Sequence, residues 1–131
     1  MLVGLLTHYL NPSLSGANTM SSQEMSRLAV AMLERFPDFI TGYLVNAKVV
    51  ALCATGKIYK DAFGFYDDGE LITSSEIERL EQHGSRWVIK TREGDCFVVV
   101  NCHPNGGLKS VRYLISQFKS AMLAKSNRTR H

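Results

Sequence analysis

Cys102-His103 sets a thiol beside an imidazole, the two groups that a cysteine nucleophile and its base would require. Neighbours at a strand end point to opposite faces, so adjacency in sequence does not by itself build a catalytic pair. Cys96, Cys102 and His103 are also three potential zinc ligands. No CxxC spacing accompanies them, and a fourth ligand would have to come from far along the chain. A buried thiol and a turn histidine are the simpler reading. Asp67-Asp68-Gly69-Glu70 has the acid density of a calcium loop but lacks its alternate-position oxygens and distal Glu, which leaves a solvated turn.

Gly106-Gly107 opens a segment bearing Lys109 and Arg112, where an anion could meet backbone N–H groups. No P-loop pattern surrounds it, and a helix entry turn accounts for the glycines. Asn127-Arg128-Thr129 matches a glycosylation sequon, which has meaning only in a secreted chain. No catalytic constellation and no cofactor motif emerges, so a binding domain without enzymatic activity or cofactor is expected. Tyr113 carries the best binding signal. It lies among Lys109, Arg112, Ser116 and Lys119, and an aromatic set in basic residues is the composition of a contact surface.

The charge pattern supports a surface role. Residues 61–81 hold Asp61, Asp67, Asp68, Glu70, Glu76, Glu78 and Glu81 against Arg79 alone. Residues 109–131 hold Lys109, Arg112, Lys119, Lys125, Arg128 and Arg130 with no acid. The net charge of +3 therefore hides an electrically two-ended molecule, able to steer partners of either sign. The chain has 131 residues, of which 45% are hydrophobic and 21% charged, which suits one globular core. No run approaches the roughly 18 to 20 apolar residues of a membrane-spanning helix. The apolar start Met1-Leu-Val-Gly-Leu-Leu6 lacks the basic flank of a secretory signal. With three cysteines outside any paired spacing, reduced thiols and a cytoplasmic location are expected.

These groups need elements to hold them. Residues 1–20 have no sustained period and read as a disordered leader. Ser21-Ser-Gln-Glu24 fits a capping box, followed by Met25, Leu28, Ala29, Met32, Leu33 and Phe36 at helical spacing, with Pro37 as the stop. Tyr43–Val45 and Val49–Cys53 read as strands of a hairpin turning at Asn46-Ala-Lys48, with Thr55-Gly56 as a second turn and Lys57–Lys60 continuing the meander. Residues 73–83 read as a short helix capped by Thr73, Ser74 or Ser75, burying Ile77 and Leu80 and ending at Gly84. Arg86–Thr91 and Cys96–Asn101 form a valine-rich hairpin through Arg92-Glu-Gly-Asp95. Leu108, Val111, Leu114, Ile115, Phe118 and Met122 mark a closing helix of about four turns. The expected fold is therefore α+β. An antiparallel sheet is flanked by N- and C-terminal helices with a short middle helix, spanning residues 21–124 as one domain, with a basic flexible tail at 125–131.

This order resembles the profilin and roadblock group of folds. Ile40-Thr-Gly-Tyr-Leu-Val-Asn-Ala-Lys-Val-Val-Ala-Leu52 looks like the first profilin hairpin, Leu71–Ile77 like the segment opening the middle helix, and Val111–Phe118 like the closing helix. The resemblance implies a monomeric, cytoplasmic actin-binding protein, divergent and of archaeal type, acting on actin or an actin-like protein and on filament assembly. The profilin actin face maps here to Arg86, Lys90, Lys109, Arg112, Tyr113 and Lys119, and their basic character suits an acidic partner. Profilins also take proline-rich peptides against a Trp near the start of the first helix. Here that helix holds Phe36 at its far end, and the sole tryptophan, Trp87, begins a strand. Two other readings remain. A roadblock-type scaffold would dimerise through an extended sheet beside a small GTPase. A nucleic-acid binder would use the basic last helix and tail, with affinity falling steeply in salt.

Overall fold

A computed structural model describes residues 21–129, with side chains through residue 119. The leader at 1–20, the side chain of Met122 and those of the basic tail lie outside the described residues. The chain runs α1 (Ser22–Leu33), β1 (Gly42–Val50), β2 (Cys53–Tyr59), β3 (Glu70–His83), β4 (Arg86–Thr91), β5 (Cys96–Val99) and α2 (Gly107–Thr129).

Five strands laid down as successive hairpins alternate in direction, so the first and the fifth run the same way. A sheet that closes on itself must then join them in parallel. That is the arrangement found: β1–β2, β2–β3, β3–β4 and β4–β5 are antiparallel, while β1 pairs with β5 in parallel through Gly42↔Phe97, Tyr43↔Val98 and Leu44↔Val99. The result is a closed five-stranded barrel. Closure needs bent strands. In β3 the first half pairs with β2 (Ile58↔Glu70 to Cys53↔Glu76) and the second with β4 (Ile77↔Thr91 to His83↔Arg86). The ladder slips at Ile77/Arg79, a bulge at the point where β3 changes partner.

Alternation sorts the side chains into two cores. Leu44, Ile58, Ile72, Ile77, Ile89 and Phe97 form an inner cluster that Leu114 of α2 joins. Val45, Tyr59, Val88, Cys96 and Val98 form an outer cluster covered by Leu28 and Ala31 of α1. Strand β5 is buried along its whole length because it has a cluster on each face. The helix ends are held locally. Ser21 Oγ accepts the Glu24 N–H at 3.1 Å, the capping contact expected from the sequence.

The start of α2 is seated on β1. A Cβ built at Gly107 would lie 2.6 Å from the Ala47 carbonyl oxygen, closer than any side chain tolerates. Ser110 Oγ accepts the Val49 N–H at 2.9 Å and donates to the Gly107 carbonyl at 2.6 Å, tying the first turn to the strand. Gly107→Ala is therefore expected to destabilise by about 1–3 kcal/mol, the usual cost of overpacking. Urea unfolding is the check, and a loss under about 0.5 kcal/mol, the range of an ordinary surface change, would mean the helix does not dock there.

The structure corrects several expectations. The segment 73–83 is not a helix but most of β3, so the middle helix of the profilin-like arrangement is absent. Its acids find bases across the ladder instead: Arg92 meets Glu76 at 3.4 Å and Glu78 at 4.0 Å, and Lys90 meets Glu81 at 3.4 Å. Gly84 does adopt a positive φ of 62°, but as the turn of the β3–β4 hairpin. Asn46-Ala-Lys48 is a bulge within β1, not a turn; the β1–β2 hairpin turns at Ala51-Leu52, with φ of 51° and 65°. Gly56 lies inside β2 opposite that bulge, where a Cβ would stand 3.0 Å from the Val45 carbonyl oxygen. On α1, Met25, Met32 and Leu33 are exposed, and the buried residues are Leu28 and Ala31. Leu108 is also exposed, and α2 is helical for 23 residues through Thr129, longer than four turns.

Candidate partner-binding surface

The six residues expected to meet a partner divide into two groups. Arg86 sits on β4 with only 15% of its side chain exposed. Its Nε contacts Glu34 Oε1 at 3.0 Å and its Nη1 donates to the Val100 carbonyl at 3.1 Å, so it ties the segment after α1 to the sheet. Lys90 Nζ lies 2.7 Å from Asp38 Oδ2 and 3.4 Å from Glu81 Oε2. Its hydrogen bond to Asp38 raises the ammonium pKa and lowers that of the Asp38 carboxyl. Both bases are taken up by internal pairs, and the structure does not bring them to the α2 surface.

Lys109, Arg112, Tyr113 and Lys119 are all exposed on α2. Residues seven apart stand two turns apart on one face. Lys109 and Ser116 form the crest of the helix, Arg112 and Lys119 one flank, and Tyr113 with Gln117 the other. Tyr113 is 64% exposed, and its hydroxyl accepts from Gln117 Nε2 at 3.1 Å.

Each flank borders a hollow. Beneath Tyr113 lies a cavity of about 370 Å³ against the β1–β2 turn, lined by Val49, Ala51, Leu52, Ser110, Leu114 and Gln117. Val50 and Leu52 stand half exposed at that turn. Ala51 and Leu52 hold left-handed backbone conformations that cost non-glycine residues energy. The Leu52 carbonyl accepts the Ile77 N–H at 2.7 Å, which fixes the turn against the corner of β3. Beside Lys119 lies a second hollow of about 270 Å³, lined by Leu80, Gln82, Trp87, Ile115 and Phe118. No local sequence signal marks the turn residues Val50 and Leu52 or the Trp87 hollow as surface features. The apolar run 49–53 suggests a buried strand rather than an exposed turn.

The remaining chemical candidates separate. Cys96 belongs to the outer cluster and Cys102 packs against the inner one, so the sheet divides these two of the three suggested zinc ligands. Burial pushes both thiols up, away from the thiolate form that a nucleophile needs. His103 Nδ1 accepts the Asn105 N–H at 2.9 Å, the role of a turn histidine. Asp38, Glu81 and His83 bring ligand atoms within 4.8 Å of one another, but the Lys90 ammonium already stands between the two carboxylates as their counter-charge. Among the described residues no helix is long and apolar enough to cross a membrane.

The chain matches no family model, no curated protein and no solved structure. The functional reading therefore stands on the surface itself: a basic helix crest with an exposed tyrosine, and an apolar hollow at its foot.

Proposed function

We propose that this chain is a small, monomeric, non-catalytic binding domain of the cytoplasm that holds an acidic protein partner on the exposed face of α2 and the adjoining β1–β2 turn. One observation carries the reading. Tyr113, 64% exposed, stands over an apolar hollow beside half-exposed Val50 and Leu52, with Lys109 and Arg112 close by on the same helix. An aromatic anchor over an apolar floor with a charged rim is the anatomy of a protein interface.

Actin, or an actin-like protein, is the first partner to test, on the strength of its acidic surface and the sequence resemblance to profilins, with control of filament assembly as the implied role. Proline-rich peptides find less support, because the first helix lacks the tryptophan wall of that groove. The roadblock alternative, a dimeric scaffold for a small GTPase, requires an extended free sheet edge, and it finds less support because β5, the last strand, is paired with β1. Nucleic-acid binding would draw on the basic tail, whose side chains lie outside the described residues.

The test is affinity for monomeric actin, with small GTPases as rival baits, for wild type, the Arg112→Glu/Lys119→Glu double variant and Tyr113→Ala. Losing the tyrosine anchor is expected to cost about 1–2 kcal/mol of binding, roughly tenfold in Kd. Charge reversal at the rim is expected to slow association and to flatten its salt dependence. Neither change should move stability by more than about 0.5 kcal/mol. Equal affinity in folded variants would remove this face from the interface.

A further inference from the structure

At the other end of β1 the β2–β3 loop builds a second site of opposite character. Asp61 organises it. Its Oδ1 accepts the Phe63 N–H at 3.2 Å, and its Oδ2 accepts those of Phe65 at 2.8 Å and Tyr66 at 3.1 Å. The Ala62 N–H donates to the Thr41 carbonyl at 2.8 Å, fastening the loop to the residue just before β1. One carboxylate thus fixes the backbone of three aromatic residues, and it does so while leaving their rings in solvent: Phe65 is 78% exposed, Phe63 52% and Tyr66 42%. The Phe63 and Phe65 rings stand 6.1 Å apart, inclined at 39°.

These rings border a cavity of about 270 Å³, floored by Phe97 from the barrel interior and walled on the far side by Glu93 and Asp95 of the β4–β5 turn. Exposed rings on a loop held by three N–H bonds to the Asp61 carboxylate and one to the Thr41 carbonyl are costly to leave in water, and a ring face attracts a cation through its quadrupole. The carboxylates supply the matching charge. Among the described residues no base pairs with Glu93 or Asp95, whereas Asp68 has Lys60 at 3.3 Å and Glu76 has Arg92. Burial raises the Asp95 carboxyl pKa from its ordinary value, a hydrogen bond from Thr91 opposes that, and repulsion from Asp61 and Glu93 adds to it. A positive group in the cavity would reverse the repulsion. The volume lies just below the roughly 300 Å³ at which small-molecule pockets begin, which suits one inserted side chain.

We propose that this aromatic and acidic cavity is a binding site for a lysine or arginine side chain presented by a basic segment of a second protein, distinct from the acidic partner of α2. The hollow supplies ring faces for the cation and its alkyl stem, and Glu93 and Asp95 receive its N–H groups at the rim. The two ends of the molecule would then hold partners of opposite charge.

The experiment titrates the isotope-labelled full chain with an acetylated, amidated hexapeptide of alternating glycine and arginine, and with the same peptide bearing neutral citrulline. The arginine peptide is expected to shift the amides of Phe63, Phe65, Tyr66 and Asp95, saturating near or below about 1 mM. Phe65→Ala and Asp95→Asn are each expected to weaken it about fivefold, the size of one cation–ring or charge contact, with the remaining amide spectrum intact. Phe65 and Asp95 lie on different elements, so one misfolded variant leaves the other to decide. Equal binding of the citrulline peptide, or no shift at these four amides, would overturn the proposal. So would concentration-dependent shifts at the same amides without peptide, which would make the occupant a second copy of this chain. Failure of actin to bind α2 leaves these outcomes unchanged.

Discussion

Phe97→Ala is expected to destabilise the fold by about 3–5 kcal/mol, the range for emptying a large aromatic site. Phe97 is among the largest fully buried side chains and lies on the inner face of β5. Its parallel partner is Gly42, where a Cβ would come within 3.2 Å of the ring and 3.0 Å of Ile58 Cδ1, so the barrel spends a glycine to make room for it. The hole left by alanine cannot collapse easily, because the strands around it are fixed to one another by ladder hydrogen bonds on both sides. In a fold whose total stability is of the order of 5–15 kcal/mol, that is a large share. Urea unfolding reads it directly. A loss below about 1 kcal/mol, less than any buried large-to-small change of this kind, would mean that the ring does not fill the inner core.

Leu114→Ala and Leu33→Ala make the same chemical change and are expected to part widely. Leu114 is 1% exposed within the inner cluster and should cost about 2–5 kcal/mol. Leu33, at the last turn of α1, is 84% exposed, and its loss should stay within about 0.5 kcal/mol. Guanidinium unfolding of the two variants side by side gives the contrast without reference to absolute stability. Similar losses at both sites would mean that α1 packs on its Leu33 face.

That pair also marks where the sequence is legible and where it is not. Both terminal helices, the Ser21 cap and the β4–β5 hairpin with its glycine turn follow from local signals that the fold obeys. The buried face of α1 does not. Residues 28–33 read Leu-Ala-Val-Ala-Met-Leu, apolar all round, so helical periodicity fits more than one stripe and packing chooses Leu28 and Ala31. The segment 73–83 misleads for a different reason. Glu, Arg, Leu and Gln favour helix, but cross-strand partners on β2 and β4 outweigh that preference, and Glu76 meets Arg92 and Glu81 meets Lys90 only once the ladder exists. The turn at Ala51-Leu52 lacks the Asn or Gly that its backbone would favour, so its position is set by the register of β1 on β2 and by the corner of β3.

The candidate site divides in the same way. The exposed quartet on α2 is legible because helical spacing alone separates Lys109, Arg112, Tyr113 and Lys119 from the buried Val111 and Leu114. Arg86 and Lys90 are not, because their partners Glu34 and Asp38 lie about fifty residues earlier and only the tertiary fold brings them together. The cavity under Tyr113 is hidden for a like reason, being made where a helix from the end of the chain crosses a hairpin turn from its middle.

On the proposed reading the tyrosine face of α2 receives an acidic protein. Amide NMR of the isotope-labelled chain, titrated with monomeric actin under non-polymerising conditions, tests it most directly. Saturable changes are expected, concentrated at Leu52, Lys109, Arg112 and Tyr113, with α1 and the Asp61 loop unaffected. No change at high micromolar actin, or changes centred away from α2, would contradict it.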